Sequence, residues 1–213
     1  MTDAPTPESA AAAPSAGDAA AASSRAARTL LDAAVARAIT VLAHDLRNSL
    51  GVVSMQVEAV AVRSASATPD LAAILAHANV ASDNIERLAA MTNALIAFAS
   101  GRRTSDLAVI VGEAAELVPL RAVSVSNLVA AESGLDPLLA RAVALEVLVL
   151  ALGSPTAPTF TVRTSDAGST LQLDSGYPLQ ADEDLEWVVQ FRKVGGRISS
   201  TEDGLRLLFP PNV

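Results

Sequence analysis

The chain has no cysteine, which excludes disulfide bonds and thiolate metal sites. It has only two histidines, His44 and His77, and they lie far apart in the sequence, so we expect no protein-held metal and no cofactor. Lysine occurs once and the net charge is −8, which argues against a nucleic-acid partner because such partners bind basic surfaces. Aromatic residues make up only 3% of the 213 residues. Together with the abundant alanine, this favours closely packed helices over a sheet-rich core.

Long apolar runs are also missing. The longest, Val147 to Leu152, is far shorter than the roughly 20 residues that a helix needs to span a bilayer. The N-terminus has neither the basic region nor the leucine-rich core of a signal peptide. We therefore expect a cytoplasmic protein with no membrane contact.

The first part of the chain predicts a tail followed by a helical hairpin. Residues 1–24 contain almost no large apolar side chain and are predicted to be disordered. The rest of this part, residues 25–102, is expected to form one domain. Its expected features are a helix over 25–63, a connection in which Thr68 is the N-cap and Pro69 starts the next helix, a second helix over 70–98, and a stop at Gly101.

The second helix has apolar and small residues at alternating steps of three and four, which indicates a heptad-like seam. The seam residues are Leu71, Ile74, Ala78, Ala81, Ile85, Leu88, Thr92 and Leu95. The apolar stripe of the hairpin is too wide for two helices to bury. We therefore expect two chains to pair as a homodimer with a four-helix bundle.

His44 lies on the first helix, away from that helix's apolar stripe. At about 100° per residue, its side chain points roughly 160° away from Leu46, so the imidazole should be in water. A neutral imidazole near pH 7 is a nucleophile. Asp45 could orient one ring nitrogen and leave the other free to attack, and Arg47 and Asn48 lie on or beside the same face.

The segment from His44 to Leu50 resembles the H-box of two-component sensor histidine kinases. In that family an acidic residue follows the phosphorylated histidine, and Asn or Thr lies one turn later, as Asp45 and Asn48 do here. The family usually has proline where this chain has Ser49. The resemblance also implies the hairpin and the dimeric four-helix bundle.

Residues 103–213 change pattern and predict a two-layer α/β sandwich, so the chain as a whole is expected to be α+β. Asp136 followed by Pro137 predicts a helix N-terminus, and Gly195-Gly196 predicts a helix end. The expected elements are helices over 106–120, 136–152 and 184–194, strands over 122–129, 160–163, 170–174, 197–200 and 205–209, and a turn at 202–204.

This second part resembles the ATP-binding domain of histidine kinases in a degenerate form. Residues 146–151 resemble the N-box helix, and Asp174 to Gly176 resemble the Asp-x-Gly box. However, Leu150 stands where the family has its Mg²⁺-binding asparagine, and Pro178 stands where a second glycine follows the Asp-x-Gly box. Only a short connector, residues 177–184, occupies the place of the ATP lid. Nothing in it can cradle a triphosphate.

This combination resembles ChpT-type histidine phosphotransferases. The resemblance implies a phosphorelay protein in which His44 shuttles a phosphoryl group between receiver-domain aspartates, without ATP binding or autokinase activity. Asp45 would orient the imidazole, and Arg47 and Asn48 would position the phosphoryl oxygens. The implied partners are response-regulator receivers and the receiver domain of a hybrid histidine kinase, with Mg²⁺ on the receiver. Two alternatives stay open: a divergent active sensor histidine kinase, and a non-catalytic dimeric interaction module.

The His44 face continues toward the hairpin loop through Gly51, Val52 and Met55, all within about 80° of the imidazole direction. Glycine inside a helix costs roughly 0.5–1 kcal/mol relative to alanine. Either the close approach of a partner or tight packing in the bundle would explain why glycine is present at position 51. Met55 is an adaptable apolar side chain. We expect these three residues to form the partner-binding surface.

Overall fold

A computed structural model describes residues 16–100, 104–118, 123–126, 131–153, 158–165 and 168–211. Parts of the sequence predictions fall outside these residues: the tail up to residue 15, the stop at Gly101, the last two residues of the helix expected over 106–120, and half of the strand expected over 122–129.

Two long helices form the hairpin. Helix α1 spans Ala16–Ser64, a length of about 73 Å at 1.5 Å per residue, and α2 spans Leu71–Ser100. Helix α1 begins nine residues before the expected start, so part of the tail that was predicted to be disordered is helical. The physical reason is the run of alanines there, because alanine has the highest helix propensity.

The start of α2 also differs from the prediction, which placed the N-cap at Thr68. Instead, the Asp70 Oδ1 atom accepts a hydrogen bond from the Ala73 backbone N–H at 3.1 Å. A carboxylate oxygen at this position satisfies an amide that the helix itself leaves unpaired. The described helices include none that is both long enough and apolar enough to cross a membrane.

The remaining helices and strands follow the hairpin in the sequence, and we call this part of the chain the second domain. Helix α4 begins as expected, since the Asp136 side chain caps it and Pro137 is its first residue. Helix α3 ends five residues before its predicted end, and α5 begins two residues later than predicted. The bounds are α3 Leu107–Ala115, α4 Pro137–Leu152 and α5 Glu186–Lys193, with β1 Ser124–Ser126, β2 Thr159–Ser165, β3 Gly168–Asp174, β4 Arg197–Thr201 and β5 Gly204–Phe209.

The five strands form one sheet in the order β1-β2-β3-β5-β4. Strands β1 and β2 are parallel, and the other pairs are antiparallel. One face buries alternate side chains such as Leu171 and Leu207. The other face is polar, and there Arg206 donates a hydrogen bond to Gln172 on the neighbouring strand at 3.1 Å. This alternation is expected of a sheet with helices on one side only.

A single hydrophobic core joins the hairpin to the second domain. The N-terminal half of α1 buries Ala27, Leu31, Ala34 and Ala38 in the same cluster as the apolar residues of α4 and the sheet. Near the end of α2, Phe98 is also fully buried in this cluster. The second domain therefore lies against the base of the hairpin, away from the loop that joins α1 to α2.

Candidate functional site

His44 is exposed on α1, as its position on the helix predicted. Leu42 of the predicted stripe is buried and Leu46 is half-buried, so the stripe faces inward near the histidine. An imidazole on the outer face of a helix is open to a second protein. The helix gives it a fixed direction relative to its neighbours one turn away.

Asn48 is the residue that contacts the imidazole. Its Nδ2 atom lies 3.0 Å from the His44 Nε2 atom. With the amide nitrogen as donor, Nε2 is the acceptor and the ring hydrogen lies on Nδ1. The lone pair of Nε2 therefore points at the Asn48 amide, so this hydrogen bond has to break before Nε2 can attack an incoming group. The predicted role of Asn48, contact with phosphoryl oxygens, would require its amide to move from the ring to the incoming group.

Asp45 and Arg47 flank the imidazole at different angles. Asp45 is half-buried and points about 100° from His44 around the helix axis, toward the side that faces α2. Arg47 is exposed and points about 60° away from His44 on the other side. The guanidinium is therefore free to approach an anionic group at the histidine from solvent.

The predicted partner-binding residues extend from His44 toward the hairpin loop. Gly51 and Met55 are exposed, the latter by 60%, and Val52 is half-buried. A Cβ atom at Gly51 would meet nothing within 4 Å, so packing inside this chain does not require glycine there. Val62, which is 68% exposed, points in the same direction as His44 because 18 residues complete five turns. Val62 lies beyond the three turns after His44 over which the partner-binding surface was predicted.

A second apolar surface lies on the other side of the hairpin. Leu50 and Val57 were expected in the buried stripe, yet more than half of each side chain is exposed. They point about 120–140° away from His44. Four exposed apolar residues of α2 lie in one arc of that helix as well, namely Leu71, Leu75, Ile85 and Ile96, whereas Val80 points away from this arc. We call these six residues the apolar hairpin face. No described residue of the same chain covers this face.

His77 forms a contact between the two hairpin helices. Its ring is half-buried, and its Nδ1 atom lies 2.6 Å from the Gln56 Oε1 atom. Because an amide oxygen can only accept, Nδ1 carries the hydrogen. A polar pair of this kind fixes the register of two helices along an otherwise apolar contact.

In the second domain, the residues that resemble an Asp-x-Gly box form a turn. The Asp174 Oδ1 atom accepts a hydrogen bond from the Gln172 side chain at 2.7 Å. Ser175 donates to the Tyr177 carbonyl at 2.8 Å, and Gly176 has a φ of 74°, which favours glycine. All three observations describe the turn that leads out of β3.

The connector between β3 and α5 is fastened to the sheet and covers a small cavity. The Ser200 hydroxyl donates to the Leu179 carbonyl at 2.7 Å. A cavity of about 320 Å³ lies beside it, lined by Gln180, Ala181, Glu183, Arg192, Ile198, Ser200 and Leu205. The one cation among these residues, Arg192, is paired with Glu183 at 2.9 Å. Within the described part of the chain, no group of three or more acidic or histidine side chains could hold a metal ion.

No protein-family model matches this chain, and no curated protein matches it. Among solved structures, the chain is similar to the histidine kinase AdeS of Acinetobacter baumannii, with 15% sequence identity and a TM-score of 0.43 over 80% of this chain and 98% of that chain. A likeness this distant concerns the overall chain trace, so what this chain does has to follow from its own residues.

Proposed function

We propose that this protein is a histidine phosphotransferase of a two-component phosphorelay. In the proposed reaction, the Nε2 atom of His44 attacks the phosphorus of a receiver's phospho-aspartate. A P–N bond forms, the P–O bond to the carboxylate breaks, and the aspartate leaves as a carboxylate. The Nδ1 proton passes to solvent water, which removes the positive charge that develops on the ring. The reverse steps pass the phosphoryl group to a second receiver.

The observation that supports this proposal best is the exposed His44 with Asn48 on its ring. Before a receiver docks, the amide holds the imidazole in one orientation and in the tautomer that has its lone pair on Nε2. The amide then moves from Nε2 to the phosphoryl oxygens as the receiver docks. Arg47 is placed to approach the phosphoryl oxygens. The Mg²⁺ that such transfers use would belong to the receiver.

The second domain supports a role without ATP. Leu150, at the position of the family's metal-binding asparagine, contacts the hydrophobic core. The connector is short and fastened to β4, and the cation beside the cavity is already paired with a carboxylate. A triphosphate needs free donors, a free cation and a metal ligand. These features favour a phosphotransferase over a divergent sensor kinase.

The apolar hairpin face supports a homodimer. It lies on the side of the hairpin away from His44, so a four-helix bundle built on it would leave both phosphoacceptor sites open to receivers. Surfaces of this kind usually mark a protein–protein contact. In the proposed assembly each receiver docks on the His44 side, over Gly51, Val52 and Met55.

The experiment is transfer of radiolabelled phosphate from a panel of phosphorylated receiver domains. His44→Ala should take up no label, whereas the matched control His77→Ala should take up label at the wild-type level if the protein stays folded. Label on His44→Ala would refute the site. If no receiver transfers and partners still bind the His44→Ala variant equally well, the interaction-module alternative is favoured.

A further inference from the structure

Helix α4 is tied to α1 by an ion pair whose acidic partner is buried. The Arg37 Nε atom donates to the Glu146 Oε1 atom at 2.8 Å, and the Arg37 Nη2 atom contacts the same oxygen. The Glu146 side chain is only 6% exposed. A buried carboxylate without a cation is strongly unfavourable, so Glu146 favours the arrangement in which α4 stays against α1.

A second buried charge ties α4 to α2. The Arg141 side chain has no solvent exposure, and its Nη2 atom lies 2.6 Å from the Glu113 Oε2 atom on α3. Its guanidinium carbon lies 5.0 Å from the centre of the Phe98 ring at the end of α2, which is a cation–π distance. Helix α4 therefore contacts both hairpin helices through charged side chains as well as through the apolar core.

Helices α1 and α4 run side by side in the same direction. Leu30 of α1 and Leu139, near the beginning of α4, line one small cavity. Seven residues further along each helix, Arg37 meets Glu146. Another seven residues, a rise of roughly 10 Å, lead to His44 on α1 and to Gly153 at the end of α4.

The ion pair also lies on the same side of α1 as the phosphoacceptor. Seven residues turn the helix by about 700°, so Arg37 and His44 point within roughly 20° of each other. The equal spacing along the two helices therefore predicts the end of α4 at the level of His44, on the side of α1 that carries Arg37. Gly153 is exposed there, and Val149 and Leu150 are half-buried.

We infer that Arg37 and Glu146 are positioning residues for phosphotransfer. They hold the C-terminal end of α4 in a fixed position beside His44. The hairpin surface formed by Gly51, Val52 and Met55 lies on the other side of His44. This inference rests on the proposed function. An incoming receiver domain would contact both surfaces, so the second domain would contribute to partner binding and not to nucleotide chemistry.

The position of the second domain can be measured directly, because a chain without cysteine accepts spin labels at chosen sites. Labels at Glu58→Cys on α1 and Lys193→Cys on α5, with labelled chains diluted in unlabelled chains, should give one narrow distance distribution. Arg37→Glu should broaden or shift it, and the reversal Arg37→Glu/Glu146→Arg should restore it. Arg28→Glu, which breaks an exposed ion pair on the same helix, should leave it unchanged.

The same variants then distinguish positioning from simple stabilisation. Arg37→Glu should raise the KM for a phospho-receiver by about tenfold, the loss of one well-placed contact. Its kcat should stay within about twofold, because His44 and Asn48 are untouched. The double reversal should restore the KM. If Arg37→Glu does not fold, Arg37→Ala serves for both measurements.

Two results would overturn the inference. One is an unchanged distance distribution in Arg37→Glu or Arg37→Ala, which would mean that the ion pair does not hold the second domain. The other is a shifted distribution with an unchanged KM, which would mean that receivers do not contact the end of α4. Both differ from failure of the proposed function, in which the wild-type protein itself would accept no phosphate on His44.

Discussion

Leu31→Ala should destabilise the hairpin and the second domain together. Leu31 is fully buried on α1, in the core that α1 shares with α4. The substitution removes three carbon atoms, worth roughly 2.4 kcal/mol of transfer free energy, and leaves a cavity that adds to this loss. We expect the free energy of unfolding to fall by about 3 kcal/mol. For a chain of this size, that corresponds to a Tm lower by roughly 6–12 °C.

Two spectroscopic probes can follow this loss in separate parts of the chain. Trp187 is the only tryptophan and is buried in the second domain, whereas the helical circular dichroism comes mainly from α1 and α2. At fixed protein concentration, both urea transitions should shift by the same amount. The control Val62→Ala changes an exposed side chain on the same helix and should alter stability by less than about 0.5 kcal/mol. If the dichroism transition shifts while the Trp187 transition stays in place, the shared core is refuted.

Three further predictions concern the proposed function. Gly51→Arg and Met55→Glu should weaken receiver binding without changing circular dichroism or dimer mass, and unchanged affinity in both would place the docking surface elsewhere. Ile85→Asp should dissociate the dimer in light scattering, because an unpaired charge in an apolar contact is costly, and a wild-type monomer at micromolar concentration would refute the bundle. Calorimetry with Mg-ATP should show no binding, whereas a micromolar Kd, about −8 kcal/mol, or any autophosphorylation would favour the kinase alternative.

Local signals in the sequence predict the order of the elements well. Asp136 and Pro137 mark the start of α4 because a capping side chain and a preset φ both favour a helix N-terminus, and the structure confirms it. The turn before β5 is also confirmed, since Glu202 and Asp203 lie between β4 and β5. Such signals act over a few residues, so they can be interpreted without knowing the tertiary structure.

Contacts between distant parts of the chain are not predictable in this way. Arg37 and Glu146 are 109 residues apart, and nothing near either residue indicates the other. The apolar spacing of α1 likewise predicts a stripe but not what covers it. Leu42 is buried within the chain, whereas Leu50 is 58% exposed, although both belong to the same periodic pattern.

The N-terminal half of α1 shows a third limit. Ala27, Leu31, Ala34 and Ala38 follow steps of four and three and are buried. Alanine is abundant throughout this part of the chain, so its spacing carries little information there. Small side chains nevertheless let two helices approach closely, and this contact is what joins α1 to the second domain.

The buried guanidinium of Arg141 restricts how this sequence can drift during evolution. Losing Glu113 alone would take the carboxylate away from a guanidinium with no solvent exposure and cost roughly 3–5 kcal/mol, whereas losing Arg141 alone would leave the partly exposed Glu113 without this cation. Replacing both with apolar residues of similar volume would be close to neutral. A substitution at only one of these two positions should therefore be selected against. Related sequences should keep the pair or exchange both residues together.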